Sequence, residues 1–148
     1  MPDLDVLVGE WDGEAVVDGE VVATFHSSNE LIEDGAFLMQ RGKSRIADDA
    51  PQQWKDNAPT SSTIVIGADD NGGTYGYVYA DSRGVRRVYE MTFDGREWRI
   101  WGQSGPEFFQ RFFGTLSEDA NEVVARWEHS PDGQSWELDF EATYRRAT

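Results

Sequence analysis

Cysteine is absent from the chain, which excludes disulfides, thiolate nucleophiles, iron–sulfur clusters and cysteine-based zinc sites. Basic residues are scarce. With 13 Lys and Arg against 28 Asp and Glu, the net charge of -15 opposes any phosphate backbone or anionic lipid surface. Neither nucleic acid nor a membrane is therefore an expected partner. Long apolar runs are missing too, since no window approaches about 18 consecutive apolar residues. The opening Met1-Pro2-Asp3-Leu4-Asp5 is acidic where a signal peptide would be basic, so a cytoplasmic location is expected. Histidine occurs only at positions 26 and 129, with no H-x-x-x-H or 2-His-1-carboxylate pattern, so no metal site is expected.

Aromatic residues and glycine turns are what the sequence has in quantity. Six Trp, five Tyr and eight Phe in 148 residues can bury large areas, and the length fits one domain, residues 1–148. Asp-Gly pairs start at 12, 18, 34, 94 and 132, with Asn71-Gly72-Gly73 and Arg83-Gly84 besides, and most separate segments rich in β-branched and aromatic residues. Asp12-Gly13 is different. It lies inside a strand pattern, where a glycine marks a bend or a close backbone approach.

Strand patterns run over Glu10–Val17, Glu20–Ile32, Ala36–Ile46, Ser61–Ala68, Thr74–Asp81, Val85–Phe93, Glu97–Gln103, Phe108–Leu116, Glu122–His129 and Ser135–Arg145. About ten strands joined by tight turns make an antiparallel up-and-down meander, and pairing of the first with the last would close it into an all-β barrel. Pro2 to Val8 reads as one helical turn with Asp3 as a candidate N-cap, its apolar Leu4, Leu7 and Val8 placed to plug one end. Ala47 to Thr60 breaks the rhythm and is expected to be a loop. Its Trp54 either anchors the loop on the surface, the reading we favour, or forms a lid over a cavity mouth.

Alternation assigns the faces. Trp136, Leu138, Phe140, Ala142 and Tyr144 are expected inside, opposite Glu137, Asp139, Glu141 and Thr143. Trp11, Gly13, Ala15 and Val17 are expected inside on the first strand, and Val123, Ala125, Trp127 and His129 share one face. The middle strands carry aromatics on both faces, as Phe108 and Phe112 against Phe109 and Phe113 show, and Trp98 against Trp101. There we read the Tyr75, Tyr77, Tyr79 stripe and the Arg87, Tyr89, Met91, Phe93 face as inward.

Gly9-Glu10-Trp11, placed between the helical turn and the first strand, resembles the G-x-W that opens the calycin barrels, the group of lipocalins and fatty-acid-binding proteins. The resemblance implies that Trp11 crosses the barrel floor and that Arg145 or Arg146 covers its ring. The stretches Val88–Trp98 and Arg126–Trp136 resemble small uncharacterised bacterial proteins with lipocalin-like barrels, a family with no established activity. Gly9 to Glu14 is also similar to the opening of nitrobindin, a haem-binding barrel whose iron is held by a His near the C-terminus. The last strand here has no His, so no cofactor is expected.

His129, on the Trp127 face and next to the Ser130-Pro131-Asp132-Gly133 turn, could reach the barrel mouth as a hydrogen-bonding imidazole or general base. The blander reading is a half-exposed histidine beside a turn. His26 is placed on the solvent side. Asp69-Asp70-Asn71-Gly72 looks like the start of a calcium loop, but the closing Glu is missing and a hairpin turn is expected. Arg87 and Gln110 are the better candidates for a polar patch, because an inward Arg needs a carboxylate, water or an anionic ligand. The expected function is binding of a small apolar or aromatic molecule, with a carboxylate on it as one option. Trp11, Tyr77, Tyr79, Tyr89, Trp98 and Trp127 form its walls, and Arg87, Gln110 and His129 orient its polar head. Two alternatives remain: a barrel enzyme for proton transfer or decarboxylation using Tyr, Arg and His groups, and a homodimer built on Phe109, Phe113 and Trp101.

Overall fold

A computed structural model describes residues 4–68 and 73–147. A 3-10 turn, Leu4–Leu7, leads into β1 (Gly9–Val17), β2 (Glu20–Ile32) and β3 (Phe37–Ile46). The short helix α1 (Gln52–Asn57) follows, then β4 (Ser61–Ala68), β5 (Tyr75–Asp81), β6 (Arg86–Phe93) and β7 (Glu97–Gln103). The chain ends in β8 (Phe109–Leu116), β9 (Glu122–Ser130) and β10 (Glu137–Arg146). Every strand pairs antiparallel with its sequence neighbours, and β1 pairs with β10, so the ten strands form a closed up-and-down barrel. Asp3 and the Asp69–Gly72 turn lie outside the described residues.

Local chemistry accounts for the meander. At the β1–β2 hairpin Val17 pairs with Glu20, and both intervening residues, Asp18 and Gly19, take positive φ of 52° and 79°. That two-residue turn matches the right-handed twist of the strands it joins. Alternation then sorts side chains into lumen and solvent: Tyr75, Tyr77, Tyr89, Met91 and Phe93 are buried, while Val78 and Val88 between them are exposed. The tyrosine stripe and the Arg87 face therefore point inward.

One end is sealed by the N-terminal turn. Leu4 and Leu7 are buried in the main core beside Trp11, Leu116 and Val123. The Leu7 carbonyl accepts from Trp11 Nε1 at 3.0 Å and from Asn29 Nδ2 at 2.9 Å. Arg146 lies over the Trp11 ring at 4.3 Å and donates to the carbonyls of Val8 and Val6, each at 2.7 Å, and of Ala120 at 2.9 Å. Gly9 has φ of 125°, and a Cβ there would stand 3.0 Å from Arg146 Nη1. The glycine, tryptophan and arginine of the resemblance are thus one contact set. Arg145 instead faces outward, donating to Glu122 at 3.0 Å.

Gly13 marks a close approach, since a Cβ would meet Tyr144 Cδ1 at 2.5 Å. Three expectations are corrected. The 47–60 segment is not all loop, because Pro51 precedes a six-residue helix. The inward set on the last strand fails at its start, since β10 shifts register between Leu138 and Phe140, leaving Leu138 52% exposed and turning Asp139 toward the lumen. A bulge inserts one unpaired residue and so reverses the alternation before it. Trp136 precedes the strand and stacks under Arg111, whose guanidinium is 4.0 Å from its ring, on the outer wall where Arg111 pairs with Glu128.

Outside, His26 bridges two carboxylates, with Nδ1 at 2.7 Å from Asp12 and Nε2 at 3.2 Å from Glu10. Its pKa is raised above the ordinary 6.5, first by Asp12 and then by Glu10. The stability this contributes is fully present below the unfolded pKa and disappears as pH rises through the folded value. His26→Gln is therefore expected to lower the urea midpoint more at acidic than at alkaline pH. Arg146→Ala, which leaves three carbonyls and the Trp11 face uncovered, should cost about 3 kcal/mol in urea denaturation. Arg146→Lys should restore only part of this, because an ammonium lacks the planar fork.

Candidate functional site

Above the Trp11 floor the barrel is filled by stacked rings: Phe93 on Trp98, Trp98 on Phe112 and Phe112 on Trp127, at centroid distances of 6.2, 5.3 and 5.2 Å. Trp98 Nε1 is buried there without an acceptor. Higher up the packing opens into a cavity of about 370 Å³. Its walls include Phe25, Ile64, Tyr77, Tyr79, Tyr89, Trp127, Phe140 and Tyr144, and α1 contributes Gln53, Trp54 and Asn57 at the mouth.

Six of the nine expected site residues line this cavity: Tyr77, Tyr79, Arg87, Tyr89, Gln110 and Trp127. Three do not. Trp11 belongs to the floor and Trp98 to the ring stack below the cavity. His129 pairs with Gln110 and Glu137 at the mouth end of β9, half-buried and outside the lining. Trp54 does more than anchor a loop on the surface, since it packs edge-on against Phe140 at 5.2 Å and lines the cavity. The reading of this segment as a cover for the mouth therefore has the better geometry.

Polar side chains also line the cavity, and those of Arg87, Tyr89 and Gln110 form one cluster. Gln110 Oε1 accepts from Arg87 Nη1 at 2.8 Å and from Tyr89 Oη at 2.6 Å. With both acceptor positions taken, the Gln110 amino group is left to donate. The Arg87 guanidinium also lies 5.1 Å from the Phe108 ring, and no carboxylate among the described residues pairs with it. Burial raises the Tyr77 hydroxyl well above the usual phenol pKa and pushes Tyr144 up to about 12, so both stay protonated donors. Neither makes a hydrogen bond among the described residues.

Asp139, which the alternation placed outside, is the one carboxylate in the lining among the described residues. Burial raises its pKa, opposed by the nearby charge of His129. No signal in the local sequence marks the bulge that turns it inward. Proline before Gln52-Gln53-Trp54-Lys55-Asp56-Asn57 was a readable helix start, by contrast.

A second network ties α1 to the barrel rim. Tyr79 Oη donates to Asp81 at 2.6 Å, Arg83 Nη2 pairs with the same oxygen at 2.5 Å, and Arg83 Nη1 donates to the Asn57 carbonyl at 2.8 Å. Burial alone would raise the Asp81 carboxyl, but the hydrogen bonds from Arg83 and Tyr79 outweigh it and hold the pKa at about 2. The network is therefore ionised at all ordinary pH and weakens only as pH falls through that value.

No family model matches the chain, and no curated protein matches it either. Among the described residues no helix is long and apolar enough to cross a membrane, and no group of three or more His, Asp or Glu could hold a metal ion. Among solved structures, the chain is similar to Rv2717c from M. tuberculosis, with a TM-score of 0.62 and 15% identity over 100% of this chain and 99% of that one. At that identity the likeness is one of fold.

Arg83→Ala should release the end of α1 while leaving the barrel closed. Amide hydrogen exchange is expected to speed up across residues 52–58 and to stay slow in β1 and β10.

Proposed function

We propose that this calycin-like barrel binds a small apolar or aromatic molecule bearing a carboxylate. The observation that carries the reading is Arg87, a guanidinium facing an aromatic cavity whose hydrogen bond goes to a neutral amide. Arg87 is half-buried, and a ligand carboxylate would give this cation the counter-charge it lacks among the described residues, through charge-assisted, bidentate hydrogen bonds. Gln110, held by the same contacts, and the free hydroxyls of Tyr77 and Tyr144 supply further donors to an acidic head. Tyr89 and Trp127, 6.0 Å apart, supply faces for the ligand body. The volume suits a molecule of one to three rings.

Titration of intrinsic Trp fluorescence with aromatic carboxylates and their matched primary amides tests this. The acids should quench and the amides bind far more weakly, and Arg87→Gln should weaken acid binding about 10- to 100-fold. Equal binding of acids and amides, or an unchanged affinity in the variant, counts against the proposal.

Asp139 favours a second reading, proton transfer to a ligand held on Arg87, because a carboxyl of raised pKa inside a cavity suits acid–base work. Recovering bound acids after long incubation separates the two: unchanged compound supports binding, and exchange of a carbon-bound proton for deuterium supports chemistry.

A further inference from the structure

The bulge in β10 gives the cavity two poles. Asp139 enters from β10 and Arg87 from β6, four strands away in a ring of ten, and the Arg87 guanidinium reaches toward β8, where it donates to Gln110. With strands spaced about 4.8 Å and tilted, the β6 and β10 backbones are on the order of 15 Å apart. No ion pair joins the two groups, and no hydrogen bond or ion pair among the described residues reaches the Asp139 carboxylate. His129 lies close enough to act on Asp139 through its charge. The other cations in the lining are committed or peripheral: Arg83 is paired with Asp81, His26 lies between Asp12 and Glu10, and Lys43 is exposed at the rim.

Arg87 and Asp139 are half-buried groups of opposite charge in one cavity, unpaired with each other, and both gain if one bound molecule answers both. The rings of Tyr77, Tyr89, Trp127 and Tyr144 line the same cavity. We infer that the cavity takes an amphoteric aromatic ligand, with an acid group on Arg87 at one end and a cationic or N–H-bearing nitrogen on Asp139 at the other. This rests on the Arg87 reading above and adds the second pole. Ligand length then becomes a specificity element, because one aromatic body must reach both groups.

Calorimetry near neutral pH tests it with two probe pairs of different length. These are 4-(aminomethyl)benzoate against benzoate, and 4′-(aminomethyl)biphenyl-4-carboxylate against biphenyl-4-carboxylate. One amine-bearing acid should bind at least about 10-fold tighter than its amine-less partner, the worth of one charge-assisted contact. Asp139→Asn should remove that advantage while leaving the amine-less acid nearly unaffected, which also shows the variant is folded; Asp139→Ser serves if it is not. Arg87→Gln should weaken all four acids. Acids that bind through Arg87 with no gain from the amine overturn this inference alone. Acids that fail to bind at all, with Arg87→Gln silent, overturn it together with the Arg87 reading. Equal losses for both members of a pair in Asp139→Asn also overturn it.

Discussion

Everything in the molecule depends on the seam between β1 and β10, where residues more than 120 positions apart pair from Trp11 with Arg146 to Val16 with Glu141. A ten-stranded sheet left open would expose two unpaired edges, and closure satisfies both rows of backbone groups. The seam is locked beside its first pair by Arg146, which caps the Trp11 ring and satisfies the carbonyls of Val6, Val8 and Ala120. One side chain thus joins the N-terminal turn, the first strand, the last strand and the β8–β9 turn. Because these contacts are distant in sequence, they form only when loop closure has been met.

Closure also decides where there is room. Toward the floor, Phe93, Trp98, Phe112 and Trp127 pack ring against ring. Toward the mouth, the same inward positions carry Arg87, Gln110, Tyr79 and Asp139, whose polar tips do not interdigitate, and the lumen opens. Over that opening, α1 is held on one side by the Arg83–Asn57 hydrogen bond and on the other by Trp54 against Phe140. The cover is thus fastened by one polar and one apolar contact.

The outer wall shows how a strongly acidic chain handles its arginines. Arg99, Arg111 and Arg126 approach the Phe113 ring at 4.8, 5.1 and 4.9 Å, and Arg111 and Arg126 share Glu128. Phe113 is thereby covered by guanidinium groups of its own chain. Trp101, 37% exposed beside this cluster, is the more open of the aromatics on that side.

The alternation of Tyr75, Tyr77 and Tyr79, the Asp-Gly turns and the Gly-Glu-Trp opening made the closed meander, its helical plug and six cavity residues legible in advance. Those features are local, with period two along a strand and φ set within a turn. What could not be read was set by partners far away in the chain. Which arginine covers Trp11 depends on the β1–β10 register. The depth of Trp11 and Trp98 depends on where each strand crosses the barrel axis, and the facing of Asp139 depends on one unpaired residue against β9. A bulge is a property of two strands meeting, so the sequence of β10 alone determined an alternating strand, while tertiary pairing decided that a carboxylate would line the same cavity as Arg87.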